Sequence, residues 1–192
     1  MIGTGARLIA AADRLAGQTI EGKPVVEDVV AGVLRQWQRV HPEIDLGPMA
    51  VIGRLNRCSA LLRQASDALL GEEGLTRPEF DILGALRRVG GELTPSRLAK
   101  ETFASGAAVT KRVKVLESDG LVSRRLDERD RRVCHLSLTD KGRELIDRLL
   151  PEQLALEVTL LSGLGDDRQA ELADALGELL VTLEGRLGGL IG

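Results

Sequence analysis

Lys111 and Lys114 stand three residues apart, and the residues around them sort by side when laid on a helix. At about 100° per residue, Ala107, Thr110, Lys111 and Lys114 share one face, while Val109, Val113 and Leu116 share the opposite one. The first face offers small residues for close approach, a hydroxyl, and two ammonium groups for phosphates or base edges. Ser105 opens this helix as its N-cap and counts with the same contacting set. Shortly beyond lies the hexapeptide Asp127-Glu128-Arg129-Asp130-Arg131-Arg132, set between two apolar stretches. Arg129, Asp130, Arg131 and Arg132 would form the charged tip of a hairpin. A single helix with a polar face is an ordinary surface helix as often as a reading head. A basic hairpin directly after it favours a helix for the major groove and a tip for the neighbouring backbone or minor groove.

These side chains need elements to hold them. Thr76 and Glu79 form a capping box with Pro78 in the first turn, which starts a helix that runs to about Arg88 and breaks at Gly90-Gly91. Thr94-Pro95 opens a second helix ending near Thr102. The Ser105-capped helix then runs to about Ser118 and stops at Gly120. Residues 121–126 and 133–138 read as two strands, the second marked by the alternation of Cys134, Leu136 and Leu138. Thr139 caps a long helix with Pro151 inside it, which predicts a kink near Leu150. Asp166 starts a last helix carrying the stripe Leu172, Leu176, Leu179, Leu183 and Leu187. Upstream, Val30, Val33, Leu34 and Trp37 mark one face of a helix ending before Pro42. Residues 44–48 read as a linker, and a long helix follows from Met49 to about Leu70, closed by Gly71 and Gly74. The Ala/Gly-rich residues 1–24, with a short helix near 7–15, form a leader without an assigned role.

The expected fold is mainly α with a small β-hairpin wing. It divides into the leader (1–24), an extra N-terminal helix and linker (25–45), two dimerisation segments (46–72 and 140–190) and a winged helix-turn-helix (75–139). The leucine stripe of the last helix exceeds what one small winged domain needs to cover, which predicts a homodimer with two reading helices about one DNA turn apart.

Composition agrees with this reading. Of the residues, 43% are hydrophobic and only 2% aromatic, with no Tyr, so the core must be aliphatic and helix-leaning. The net charge of −3 hides an asymmetry: residues 97–132 hold ten Lys/Arg against six acids, leaving the remainder at −7. An acidic body with one basic segment suits a nucleic-acid reader. No apolar run reaches the roughly 18 residues of a membrane span, and no secretory signal opens the chain. Two cysteines, Cys58 and Cys134, make no disulfide framework and read as small apolar packers, so a cytoplasmic location is expected. An enzyme is not expected. Gly3-Thr4-Gly5 lacks the rest of a dinucleotide loop, His41 and His135 are too scattered for a metal cluster, and Cys134-His135 point to opposite faces of a strand.

Four residues sit where simple patterning does not place them. Arg112 lies about 60° from Val109, at the edge of the core-facing stripe. Arg124 shares strand parity with Val122 and Leu126 and should point inward. Asp81 falls between Phe80 and Ile82-Leu83, and Trp37 anchors the extra helix. Inward cations need an anionic partner. Either Asp81 and surface acids supply it, with Trp37 a core anchor, or these residues receive a ligand.

Residues 75–142 resemble the MarR (multiple antibiotic resistance regulator) transcription factors. The resemblance rests on Leu75-Thr76-Arg77-Pro78-Glu79-Phe80-Asp81, on 105–112, 116–122 and 127–132, and on Leu138-Thr139-Asp140-Lys141-Gly142. It implies a homodimer, joined by its first and last long helices, that binds pseudopalindromic double-stranded DNA, commonly as a repressor. It also implies that Asp130 orients Arg132 into the minor groove, where a narrow A/T tract attracts a cation. Within the family, the urate-responsive branch carries an additional N-terminal helix with a Trp, an Asp in the helix before the winged motif, and two arginines on the recognition helix and first wing strand. Trp37, Asp81, Arg112 and Arg124 match these positions. The resemblance thus implies no cofactor, but an effector that is urate or a similar aromatic anion. Trp suits it as a flat face with an N–H, and Arg as a donor of parallel hydrogen bonds. Redox sensing through Cys58 and a ligand-independent architectural role are the competing readings.

Overall fold

The computed structural model describes residues 27–187; the leader and the short helix expected in it lie outside them. In chain order the elements are α1 (Val29–Val40), α2 (Gly47–Leu70), a 3-10 turn (Gly71–Glu73), α3 (Arg77–Val89), α4 (Pro95–Glu101), α5 (Gly106–Ser118), β1 (Val122–Leu126), β2 (Cys134–Leu138), α6 (Asp140–Leu161) and α7 (Asp166–Leu187).

Local chemistry sets most of these boundaries. The Thr76–Glu79 capping box is formed, with Thr76 N donating to Glu79 Oε2 at 2.8 Å. Thr94, Ser105 and Thr139 each accept a backbone N–H of the first turn that follows them, opening α4, α5 and α6. Gly120, with φ 69°, turns the chain out of α5 in a conformation that L side chains disfavour. One boundary differs from expectation. Residues 47 and 48 do not belong to a linker, because α2 already begins at Gly47 and takes Pro48 into its first turn, where no N–H is needed.

A mainly aliphatic core, with Phe80 its aromatic member, gathers the end of α2, α3 to α6 and the hairpin. Leu98 of α4, Val109 and Leu116 of α5, Leu83 of α3, Leu136 of β2 and Ile146 of α6 are all essentially inaccessible. β1 and β2 pair antiparallel, with Arg124 opposite Leu136 and Leu126 opposite Cys134. A third strand segment, not expected from the sequence, flanks β2: Leu93 exchanges both backbone hydrogen bonds with Leu136. β2 is therefore central and β1 is an edge.

Helices α1 and α7 stand apart from this core, and neither has a buried residue. α1 is fixed to α2 by Asp28, which caps α1 through Val30 N and Ala31 N and also accepts Arg54 Nε and Nη2 at 3.1 and 2.9 Å. The Ala31 N–H, then the Arg54 guanidinium, hold this carboxyl below its usual range. Leu172, Leu176, Leu183 and Leu187 of the α7 stripe are exposed and Leu179 is half-buried, while Val158, Leu160 and Leu161 of α6 are exposed as well. Among the described residues no helix is long and apolar enough to cross a membrane.

Candidate DNA interface and ligand pocket

The recognition surface starts with α5. Val109, Val113 and Leu116 are buried, and Ala107, Thr110, Lys111 and Lys114 are exposed on the opposite side. The Thr110 hydroxyl donates back to Gly106 O. Neither lysine is engaged in an ion pair among the described residues, so both ammonium groups are free for an anionic backbone. Ser105 Oγ accepts Ala108 N at 3.3 Å, which places its hydroxyl at the helix start.

The wing is ordered by a residue that the sequence reading did not single out. Asp127 Oδ1 accepts the backbone N–H groups of Arg129 and Asp130, at 2.8 and 3.0 Å, and Asp127 Oδ2 accepts His135 Nε2 at 3.1 Å. These bonds, with the Asp130 N–H the largest influence, hold its carboxyl at about 2. Asp130 Oδ1 in turn accepts Arg132 N at 3.0 Å. Two successive Asx turns thus shape the tip, and Arg129, Arg131 and Arg132 project into solvent. An acid two or three residues ahead of free N–H donors is the signal that would have found Asp127. At the wing's base, Arg125 grips Glu92 through two bonds of 3.1 and 2.6 Å, lowering the Glu92 pKa. This fastens β1 to the segment before α4.

The four expected ligand residues fare differently. Asp81 and Arg112 are brought together: both are half-buried and line one cavity of about 160 Å3, with Ile82, Thr102 and Val109 as neighbours. Asp81 is already paired with Arg77 Nε at 2.9 Å, an i, i+4 bridge. Arg124 does not point into the interior. It lies on the inner face by parity, yet it is exposed, because β1 is the edge strand and its burial ends at Val122. Its Nε donates to Cys134 Sγ at 3.0 Å. Trp37 is not a core anchor either: it is 45% exposed and stacks on His41, with ring centroids 6.0 Å apart. Among the described residues, therefore, no unpaired cation is buried. Neither Trp37 nor Arg124 lines the cavity holding Asp81 and Arg112. Of the two cysteines, Cys134 packs as expected, whereas Cys58 is exposed on α2.

A helix-turn-helix with an exposed cationic second helix, followed by a capped basic hairpin, defines a winged DNA-binding protein. A sequence profile described as the MarR family matches residues 73–133. The chain is 34% identical over 152 residues to the HTH-type transcriptional regulator PecS of Dickeya dadantii (strain 3937), covering 78% of this chain and 92% of that protein. The fold resembles the S. aureus MepR-DNA complex (TM-score 0.62, 26% identity, 67% of this chain and 95% of that one). It also resembles PcaV of Streptomyces coelicolor in complex with its natural ligand (TM-score 0.59, 25% identity, 71% and 95%). The chain belongs to the MarR family of DNA-binding transcriptional regulators, and its relatives are regulators, not enzymes.

Proposed function

We propose that the chain is a ligand-responsive repressor that binds pseudopalindromic DNA as a homodimer and lets go when it takes up urate or a similar aromatic anion. The carrying observation is that Asp81, on scaffold helix α3, and Arg112, on recognition helix α5, line one cavity. A molecule bound there touches both the frame and the reading head. Trp37 and Arg124, exposed on α1 and the wing, would join it from two further elements, leaving their contacts with His41 and Cys134. The likeness to the transcriptional regulator PecS supports the regulatory role.

The anion acts only through a difference in affinity between two arrangements. A hundredfold preference for the arrangement that cannot hold DNA supplies about 2.7 kcal/mol toward release. On the DNA side, Ala107, Thr110, Lys111 and Lys114 enter the major groove behind Ser105. Arg129 and Arg131 meet phosphates, while Arg132, turned by Asp130, enters the minor groove. The exposed apolar residues of α7, α6 and α2 support the dimer, because apolar side chains left uncovered on several long helices call for a partner.

A second reading keeps the DNA role and changes the effector to another aromatic acid; the likeness to ligand-bound PcaV favours it over a redox sensor. The two are separated by following the fluorescence of Trp37, the single Trp in a chain without Tyr, during a urate titration corrected with free tryptophan. A saturable change supports urate. A response to aromatic carboxylates alone supports the second reading.

A further inference from the structure

Phe103 is held in a costly state. It lies in the turn between α4 and α5 and is the only non-glycine among the described residues with a left-handed backbone, φ 52°. A bulky side chain is strained there, and a ring that is 92% exposed recovers nothing through burial. The strain is not required by the turn itself, which a glycine would form without it.

The ring stands at the mouth of a cavity of about 470 Å3, walled by Arg77, Phe80, Asp81, Arg88 and Leu150. That volume falls in the ordinary range for small-molecule sites, roughly 300–1,000 Å3. The 160 Å3 cavity of Asp81 and Arg112 falls below it. The two spaces share Asp81 and Thr102 as walls. Inside the larger one, the Arg77 guanidinium lies over the Phe80 ring at 5.7 Å, holds Asp81 through Nε at 2.9 Å and reaches Glu157 through Nη1 at 3.5 Å. It is a cation with an aromatic backing, one short bond to Asp81 and one long, replaceable bond to Glu157.

We propose that this chamber receives the ring of the effector, with Arg77 as the partner of its negative charge and Phe103 as a flap that closes over it. The proposal rests on the aromatic-anion reading above and adds two residues to it. Phe103 lies two positions ahead of Ser105, the N-cap of the recognition helix. A flap drawn inward therefore pulls on the start of α5, where DNA is read.

Calorimetric titration of urate into the full chain and into Phe103→Gly and Phe103→Tyr tests it, alongside thermal unfolding without ligand. Binding to a duplex selected by the protein from random sequence completes the set. Phe103→Gly is expected to bind that duplex normally and to unfold at an unchanged or higher temperature, since its strain is gone. Its urate affinity is expected to fall about tenfold, and that of Phe103→Tyr to stay within about twofold. Unchanged urate affinity in Phe103→Gly overturns the proposal. A loss of DNA affinity without urate also overturns it and makes the ring a DNA contact. If the unaltered chain binds no urate, the aromatic-anion reading fails first and the proposal falls with it.

Discussion

Gly142, in the first turn of α6, lies so close to Leu121 that a Cβ on the glycine would overlap the Leu121 carbonyl oxygen. The same oxygen accepts Thr139 N at 3.1 Å and Thr139 Oγ1 at 3.2 Å. The root of the wing and the start of the long helix are thus locked backbone to backbone. Gly142→Ala is expected to lower stability by about 1–3 kcal/mol, because that contact can relax only by moving main chain. Chemical denaturation measures it, and an unchanged midpoint would refute the lock.

Asp127 sets the shape of the wing, and its contribution has a defined pH window. Its carboxyl titrates near 2 in the folded chain, against an ordinary value of 3.8. A depressed folded value adds stability that is complete above the ordinary one and is lost as pH falls through the folded one. The gap in melting temperature between the unaltered chain and Asp127→Asn is expected to be constant above about pH 4 and to narrow toward pH 2. Melting curves across that range decide it. The same variant should bind DNA more weakly at neutral pH, with the tip no longer pre-formed.

In the proposed DNA complex, Lys111 and Lys114 would act as point charges on phosphates. Replacing either with Ala is expected to weaken binding by a similar factor across DNA sequences and to flatten the salt dependence of log K by about 1. Fluorescence anisotropy at several salt concentrations reads both effects. A loss confined to one base position would instead mark that lysine as a base reader.

The stripe of α7 should hold two copies together. Leu176→Glu places a charge in it and is expected to shift sedimentation from the dimer to the monomer of 20.6 kDa. DNA affinity would fall with it, since two linked half-sites become independent. A monomeric unaltered chain would remove the dimer from the account.

The winged motif was legible in the residues because its signals are local. The Thr76 capping box, Thr94-Pro95 and Ser105 each announce a helix start within four residues, and the α5 faces follow from periodicity alone. The placement of Arg124 was less legible. Parity gave the correct face, but burial depends on which strand is the edge, and that was decided by the distant Leu93 bridge. Trp37 misled for a similar reason: an apolar residue at helical spacing faces something, and the pattern does not say whether that is the chain's own core. Arg77 and Phe103 escaped notice because a cavity is a property of packing, and a left-handed phenylalanine has no sequence signature.

The most direct test of the account follows a labelled, protein-selected duplex by anisotropy while urate is added to the complex, with Arg112→Ala in parallel. Anisotropy is expected to fall to the value of free duplex for the unaltered chain. In the Arg112→Ala complex it stays high at the same urate concentrations. Release that is identical in both proteins, or DNA that stays bound to the unaltered chain at every urate concentration, would contradict it.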